Sequence, residues 1–383
     1  MGKDLLDDRF GRFRELPLGL ARLGHEVRGI ALSYRRKEEG TLVDSDPPSS
    51  AGVTWHSVNL TAGLLPLLER FVNRAIKLAS EFEPDVIWAG SDAYHVIFGA
   101  WLAKRTRTRG AVDLYDNFEA FKASKVPFVL PRFRQAVREA DGVTCFSKRL
   151  ADRVVQTYPR QKPTAVIENG VRKEFFTPQD RNICRQRLGL PIDATVIGTA
   201  GALDTSRGID TLFKAFDLLA IQNGNIHLAL AGPRDRKMRI PTGPGVHDLG
   251  NLPHEDVPCF IKALDVSVVC YRQSAQGEYS FPQKAYEILA CKTPLVSAAV
   301  GSMNELLIDY PQCLYEPENP ASLADAIRRQ LAARTVVDVN IPLWADSAKE
   351  LEIFFEAVLQ ESSTIEATKS ARRSFGGERG QPF

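Results

Sequence analysis

The stretch Gly277-Glu-Tyr-Ser-Phe-Pro-Gln-Lys-Ala-Tyr-Glu-Ile-Leu-Ala-Cys-Lys-Thr-Pro-Leu-Val296 decides the fold, because it predicts a loop, a helix and a buried strand in succession. Pro282 can begin the helix, since its missing N–H would have no helical partner there. Thr293-Pro294 ends the helix, and an apolar strand begins at Pro294. Three apolar residues recur at helical spacing between these limits: Ala285, Ile288 and Leu289.

Three polar residues remain in this otherwise apolar helix: Gln283, Lys284 and Glu287. A free helix N-terminus, a cation in the first turn and a carboxylate on the next turn can together hold a phosphate and a diol. The alternative is an ordinary amphipathic helix with a solvated Lys–Glu pair. The chemistry of the segment therefore favours a nucleotide ligand without requiring one.

The same segment resembles the nucleotide-sugar site of family 4 glycosyltransferases of the GT-B fold. The shared pattern is Ser/Phe-Pro-x-Lys-x-x-Glu-x-x-Ala, followed by x-x-x-Pro-Leu-Val. The resemblance implies that Glu287 hydrogen-bonds the ribose hydroxyls of the donor, that Lys284 contacts the diphosphate, and that Ser280 belongs to the donor site. It implies transfer of a sugar from a nucleoside diphosphate to an acceptor hydroxyl with retention of configuration, in cell-envelope or exopolysaccharide synthesis.

The bulk composition is that of a globular protein with room for two domains. The chain has 383 residues, of which 44% are hydrophobic and 25% charged, and domains usually span roughly 100–200 residues. No apolar run approaches the ~18 residues of a membrane span, and the N-terminus lacks a secretory apolar region. The six cysteines are scattered without metal-site spacing, so we expect buried free thiols and a cytoplasmic location.

Charge is distributed unevenly along the chain. Residues 1–175 contain 28 Lys and Arg against 22 Asp and Glu, and residues 176–383 contain 21 against 25. A basic first half suits an anionic lipid or phosphate partner. Chance variation of surface composition explains the same numbers.

Two successive series of alternating strands and helices predict the fold class, an α/β chain with two Rossmann-like, doubly wound domains. In the GT-B fold such domains face each other across a cleft. The segment 168–178, Glu-Asn-Gly-Val-Arg-Lys-Glu-Phe-Phe-Thr-Pro, resembles the hinge of the same family. The predicted limits are 1–172 for an acceptor-side domain, 173–342 for a nucleotide-sugar domain, 343–361 for a helix that returns to the first domain, and 362–383 for a disordered tail.

GT-B chains normally begin with a short apolar strand, and this sequence contains only part of such a strand. A helix is predicted from residue 12, the segment 37–52 reads as a loop, and only Gly2-Lys-Asp-Leu-Leu6 can precede the first helix as a strand. We expect Met1 to lie inside or after that strand, so that the chain is shortened or its start is misassigned.

The segment Gly201-Ala-Leu-Asp-Thr-Ser-Arg-Gly208 follows a predicted strand and begins a helix. It resembles the family loop Gly-Arg-Leu-x-x-x-Lys-Gly, which implies that Gly201 and Arg207 contact the donor diphosphate. An arginine can do so with a bidentate fork. Ala202 replaces one cation of the pattern. The alternative to diphosphate binding is that Arg207 simply faces solvent.

The carboxylate pair of the family pattern is also altered. The usual spacing is Glu-x7-Glu, but Tyr279 stands eight residues before Glu287, with Glu278 beside it. Either Glu278 takes the catalytic position next to the sugar through a shifted loop, or it is a plain loop charge.

In the first half, Gly90-Ser-Asp-Ala-Tyr-His95 follows a strand end, where ligand sites of α/β sheets lie. His95 resembles the catalytic-site histidine that some family members present to the sugar, and a helix-terminal histidine is the alternative. Asp116, Asn117 and Glu119 follow the next strand. They are candidates for binding acceptor hydroxyls or for capping a helix.

No metal or other cofactor is expected. Asp44-x-Asp46 matches the metal-binding pattern of the other major glycosyltransferase fold, but no predicted strand precedes it. Charge on the leaving diphosphate would instead be met by Arg207, Lys284 and helix N-termini.

Cations alternate with aromatic and aliphatic residues between 118 and 138. This pattern suits an anionic membrane surface and a peripheral location at its inner face, and equally a lid or core helix with a solvated basic face. The expected partners are a nucleotide sugar and a saccharide or lipid-linked acceptor.

Other functions remain open. Ala202, Tyr279 and the incomplete first strand favour a non-catalytic nucleotide-sugar-binding or scaffold subunit of the same fold. A dehydrogenase is disfavoured because no GxGxxG follows a predicted strand. Nucleic-acid binding is disfavoured because no basic stripe or known module is present.

Overall fold

The computed structural model describes residues 5–6, 10–33, 39–46, 50–59, 64–234 and 238–375, except the side chains of 64–66 and 361–375. The predicted remnant of a first strand falls mostly on residues 1–4, outside these ranges. Leu5 and Leu6 pack against an apolar cluster that includes Leu18 and Trp55.

The chain divides into two compact units. One comprises Gly2–Ile167 together with Ser347–Phe383 and is called the N-terminal unit; the other is Glu168–Asp346, the C-terminal unit. The chain thus passes between units at 167/168 and 346/347, a few residues from the boundaries of 172/173 and 342/343 that the sequence predicts.

The N-terminal unit contains two sheets, with strand orders β1-β3-β2 and β4-β5-β6-β7. Every pair in them is parallel except β2 with β3. Its elements are α1 (Arg12–Arg22), β1 (Val27–Ser33), β2 (Thr41–Asp44), β3 (Val53–Asn59), α2 (Leu64–Phe82), β4 (Val86–Ala89), α3 (Ala93–Thr106), β5 (Arg109–Leu114), α4 (Val129–Glu139), β6 (Gly142–Cys145), α5 (Lys148–Thr157) and β7 (Thr164–Val166).

The prediction of a loop over 37–52 is wrong in part, because β2 lies within it. Thr41 pairs with His56 and Asp44 with Val53, antiparallel to β3. The physical reason is tertiary. Leu42 packs against the cluster around Trp55, and Asp44 accepts two hydrogen bonds from a buried arginine, Arg14.

The C-terminal unit contains one six-stranded sheet in the order β10-β9-β8-β11-β12-β13, in which every pair is parallel. Large buried clusters cover both faces. Its elements are α6 (Arg181–Leu188), β8 (Thr195–Ala200), α7 (Ile209–Gln222), β9 (Ile226–Ala231), β10 (Val246–Asp248), α8 (Val257–Ala263), β11 (Val266–Val269), α9 (Gln283–Ala290), β12 (Leu295–Ala298), α10 (Ser302–Leu306), β13 (Leu314–Tyr315) and α11 (Pro320–Ala332).

This strand order fixes where a ligand can bind. The chain runs outward from β8 to β9 and β10, then returns to the other side of β8 with β11. The carboxyl ends of β8 and β11 therefore lie at the point where the winding direction changes, and open α/β sheets bind ligands at such switch points.

The last helix, α12, spans Trp344–Phe375 and is longer than the 343–361 helix that the sequence predicts. No glycine or proline interrupts the sequence between Ala345 and Phe375, so nothing local ends the helix earlier. Phe354 and Val358 pack where a side chain at Gly142 of β6 would otherwise stand. Residues 376–383 of the predicted tail lie outside the described ranges.

All six cysteines are buried and free, which confirms the prediction of unpaired thiols. Within the part of the chain that the structure describes, no helix combines the length and the hydrophobicity of a membrane span.

Candidate functional site

The helix predicted from the Gly277–Val296 stretch is α9. Its apolar residues Ala285, Ile288 and Leu289 are buried, as the spacing predicts. Pro282 is the residue just before the helix, one position earlier than predicted. The N-terminus of α9 follows the carboxyl end of β11 through the loop 271–282, and so belongs to the switch-point edge of the sheet.

Lys284 reaches from the first turn of α9 to the end of the central strand. Its Nζ lies 3.2 Å from Thr199 Oγ1 and 3.4 Å from the Ala200 carbonyl oxygen. Burial lowers the pKa of Lys284 to about 8, and the positive charge of Arg207 acts in the same direction. Two cations therefore lie close enough to repel each other, so an anion bound near them would be stabilised.

Arg207 is carried by a loop whose backbone requires glycine at its ends. Gly201 (φ 100°) and Gly208 (φ 82°) are in left-handed conformations, which favour glycine. Gly232 lies so close that a Cβ there would be 2.1 Å from the Gly201 carbonyl oxygen. Arg207 itself is exposed, and Ala202 is exposed too, so the loop presents one cation where the family pattern has two.

Arg272 holds this loop, a role that the sequence did not reveal. Its Nε donates to the Thr205 carbonyl oxygen at 2.8 Å, and its Nη2 to Asp210 at 2.7 Å. A third contact joins it to Glu318. Because two carboxylates already neutralise it, the Arg272 guanidinium stabilises the conformation of the Arg207 loop rather than binding phosphate. The available signal was a charged residue three positions after the end of the buried strand β11.

Glu287 lies one turn after Lys284 on α9, and residues three apart share a helix face. It is partly buried, and the side-chain amide of Gln283 donates to its Oε1 at 3.2 Å. Gln283 and Glu287 are thus joined directly, while Lys284 contacts the end of β8. This geometry places a carboxylate acceptor about one helical turn from the paired cations.

The loop before α9 contains the second predicted carboxylate, Glu278. The Glu278 amide donates to the Ser274 carbonyl at 2.9 Å, and the Ser280 amide to the Gln276 carbonyl at 3.0 Å. A Cβ at Gly301 would lie 2.5 Å from the Glu278 carbonyl oxygen. The Glu278 backbone is therefore held in a compact turn, with its side chain partly buried.

In the N-terminal unit, His95 is positioned by Asp92 at the start of α3. Asp92 Oδ1 accepts from the His95 backbone N–H at 2.9 Å and lies 3.0 Å from Nδ1 of the ring. Phe71 contacts the same ring edge-on. Burial would raise the pKa of Asp92, but the hydrogen bonds and charge of His95 lower it below its usual value. When Nδ1 carries the proton shared with Asp92, Nε2 is the nitrogen that can accept a hydrogen bond in the corresponding neutral tautomer.

The neighbouring strand end carries the predicted acceptor residues Asp116 and Asn117. The Tyr115 hydroxyl donates to the Ser91 carbonyl at 2.7 Å, which ties the ends of β4 and β5 together. Asp116 Oδ1 accepts from the Asn117 amide at 2.8 Å, and the Asn117 side chain is buried. Asn117 directly precedes a short 3₁₀ helix, Phe118–Ala120, but its side chain makes no capping hydrogen bond there. Binding of an acceptor stays a prediction for both residues.

The other first-half candidates have structural partners. Glu119 accepts from Arg134 at 2.8 Å and also contacts Arg153. Arg14 binds both oxygens of Asp44, at 2.7 and 3.0 Å, and approaches Asp46 at 3.7 Å. Over the described ranges, no group of three or more His, Cys, Asp or Glu side chains is arranged to hold a metal ion.

Two successive α/β units with mainly parallel sheets, one of them with cations at the switch point of its sheet, are typical of the GT-B glycosyltransferases. Family models match both units. The model "Glycosyl transferase 4-like domain" matches residues 12–170, and "Glycosyl transferases group 1" matches residues 194–333. The chain belongs to family 4 of the GT-B glycosyltransferases.

Similar proteins and structures agree with this membership. A D-inositol 3-phosphate glycosyltransferase of Stackebrandtia nassauensis is 29% identical over 74% of this chain and 70% of its own length. The one of Geodermatophilus obscurus is 32% identical over 54% of this chain, but the match spans only 49% of that relative. A sucrose-phosphate synthase from Thermosynechococcus elongatus shares the fold with a TM-score of 0.66 at 20% identity, over 94% of this chain and 93% of that one. Anabaena HepE in complex with UDP and glucose gives 0.59 at 20% identity, over 83% and 86%.

Proposed function

We propose that the chain is a retaining glycosyltransferase that moves a sugar from a nucleoside diphosphate donor to an acceptor hydroxyl. One observation carries the proposal: Lys284 lies at the end of β8, Arg207 is exposed in the loop after the same strand, and Glu287 follows Lys284 by one turn on α9. Paired cations match a diphosphate, and a carboxylate acceptor matches the two hydroxyls of a ribose.

The chemistry requires charge stabilisation on the leaving group. As the bond between the sugar and the diphosphate breaks, negative charge grows on the diphosphate oxygens. Lys284, Arg207 and the N–H groups of the first turn of α9 would stabilise that charge without reorganising. We propose that this replaces a metal ion, so no metal cofactor is needed.

We assign the other predicted site residues to the donor or the acceptor according to the unit that contains them. In the C-terminal unit, Gly201 and Ser280 would complete the donor site and Glu278 would contact the sugar. In the N-terminal unit, His95 Nε2 would accept a hydrogen bond from a sugar or acceptor hydroxyl, and Asp116 with Asn117 would bind the acceptor.

The names of relatives support a polar, envelope-related acceptor. Several are D-inositol 3-phosphate glycosyltransferases, and one is a putative teichuronic acid biosynthesis glycosyltransferase of Bacillus subtilis. We therefore propose a saccharide or lipid-linked acceptor in glycan synthesis, and a cytoplasmic location at the inner face of the membrane. The six reduced, buried thiols fit that compartment.

The test is donor binding by Glu287→Ala. Loss of a charged hydrogen bond costs about 1–3 kcal/mol, so UDP should bind roughly 5–150-fold more weakly to the variant in calorimetry. Asp217→Ala, which removes an exposed carboxylate from α7, is the matched control and should leave the affinity unchanged. Equal affinities of wild type and Glu287→Ala for every nucleoside diphosphate would refute the assignment.

A second candidate function has a specific observation in its favour. Ala202 is exposed in the position of a family cation, and Tyr279 occupies that of a family carboxylate. A non-catalytic nucleotide-sugar-binding subunit would bind the nucleotide through the same α9 residues and release no product.

A further inference from the structure

The loop that precedes α4 exposes apolar side chains to solvent. Within residues 122–132, which comprise this loop and the first turn of α4 and are called here the 122–132 loop, Phe128 is 77% exposed and Val126 is 48% exposed. Pro127 between them is exposed as well, and so are the three cations of the loop, which are Lys122, Lys125 and Arg132.

The backbone of Phe128 is in a conformation that bulky residues avoid. Its φ is 68°, in the left-handed region, which costs energy for a residue with a Cβ. Its side chain makes no capping hydrogen bond at the start of α4. Burial of Val129 and Phe133 fixes the adjacent helix. Folding thus holds a phenyl ring in solvent at a backbone position that glycine would occupy without strain.

The 122–132 loop is anchored beside the predicted acceptor end of the N-terminal unit. The buried Ser124 hydroxyl donates to the Phe118 carbonyl at 2.5 Å. The Tyr94 hydroxyl donates to the Ala123 carbonyl at 3.2 Å, and Tyr94 directly precedes His95. The exposed ring is therefore displayed from a preformed loop tied to the helix that carries His95.

The charge around the exposed residues has one sign. Residues 120–138 contain five Lys and Arg and no Asp or Glu. Arg134 pairs with Glu119, and the other four cations are exposed, which are Lys122, Lys125, Arg132 and Arg138. A stable protein interface takes roughly 20–30 residues a side, whereas this apolar surface has two large side chains. Shallow insertion with surrounding cations fits an anionic bilayer better.

We propose that the 122–132 loop docks the N-terminal unit on an anionic lipid bilayer, with Phe128 and Val126 entering the headgroup region and the cations contacting lipid phosphates. The biological consequence of docking rests on the proposed function: docking would bring a lipid-linked acceptor to the start of α3.

The experiment measures sedimentation of the full chain with vesicles of phosphatidylcholine alone or mixed with phosphatidylglycerol. The wild type should bind only the mixed vesicles, and added salt should release it. Phe128→Gly should weaken binding about tenfold. Replacing Lys122, Lys125 and Arg132 together by Gln should weaken it about a hundredfold, since each cation contributes roughly fivefold.

Two controls keep the outcome interpretable. Ile221→Ser removes a side chain that is 84% exposed on α7 of the C-terminal unit and should leave vesicle binding unchanged. Phe128→Gly should unfold at the same temperature as the wild type or a higher one, because glycine accepts the left-handed φ.

Wild type that ignores the mixed vesicles, or a folded Phe128→Gly protein that binds them as tightly as wild type, would overturn the proposal. The second result would assign the exposed ring to a protein contact instead. UDP binding, measured without lipid, tests the proposed function independently of membrane docking. Vesicle binding without nucleotide binding would reject the proposed function and keep the docking surface.

Discussion

Lys284 offers a titration that links the fold directly to donor binding. Burial and then the charge of Arg207 lower its pKa to about 8, so the unliganded site loses a positive charge as the pH rises through this value. A phosphate group is fully ionised well below pH 8, since its second pKa is about 6. Affinity for a nucleoside diphosphate should therefore be highest near pH 7, between these two pKa values, and fall above pH 8.

The size of the effect follows from the pKa. At pH 9, about one Lys284 in ten is protonated, so the apparent Kd for UDP should be about tenfold weaker than at pH 7, or about 1.4 kcal/mol. Lys284→Arg keeps its charge throughout this range and should give a flat profile. Lys284→Met should bind weakly at every pH.

The same lysine should destabilise the unliganded protein. Its folded-state pKa lies below the ordinary 10.5, so the unfolded chain binds more protons between about pH 8 and 10.5, and stability must rise with pH across that window. Below pH 8 the full penalty applies. The fall from 10.5 to about 8 corresponds to about 3 kcal/mol, which Lys284→Met should recover at neutral pH in denaturant unfolding.

Calorimetric titration with UDP from pH 7 to 9, on wild type and both variants, is the assay. A wild-type Kd that does not change over this range would refute the reasoning, and so would a Lys284→Arg protein with the wild-type slope.

Two further predictions concern the N-terminal unit. Asp92→Asn keeps an oxygen for the helix cap and for His95 Nδ1, so we expect near-wild-type turnover. Asp92→Ala removes that oxygen and should lower kcat at least tenfold with the donor KM unchanged. Equal loss of kcat in both variants, or a change in KM alone, would contradict a positioning role for Asp92. Asp113→Ala leaves the buried guanidinium of Arg12, now held at 2.7 and 2.9 Å, without its carboxylate and should lower the free energy of unfolding by about 3–5 kcal/mol. A loss under 1 kcal/mol in urea unfolding would show that the pair is not buried in solution.

Elements with a strong local pattern were predictable from the sequence. The strands β4, β8 and β11 are short apolar runs next to turn residues, and α9 shows its helical spacing directly. The strand β2 was not predictable, because its residues lie in a polar, proline-rich segment. Its pairing depends on Arg14, about thirty residues earlier in the chain.

The candidate site divides in the same way. Lys284 and Glu287 share one helix, so their common face follows from sequence spacing alone. Arg272 contacts Thr205, Asp210 and Glu318, which lie 67, 62 and 46 residues away along the chain. No local sequence pattern predicts contacts over such distances along the chain. Asp92 was visible next to His95, but only the side-chain geometry shows its contact with the ring.

Turnover of a nucleotide sugar shows whether the chain is a transferase. Purified full-length protein would be incubated with a panel of nucleotide sugars, nucleoside diphosphate release would be measured, and Glu287→Ala would be the control. We expect release from one donor and its loss in the variant. No release from any donor, with nucleotide binding intact, would contradict transferase activity and leave the binding subunit as the function.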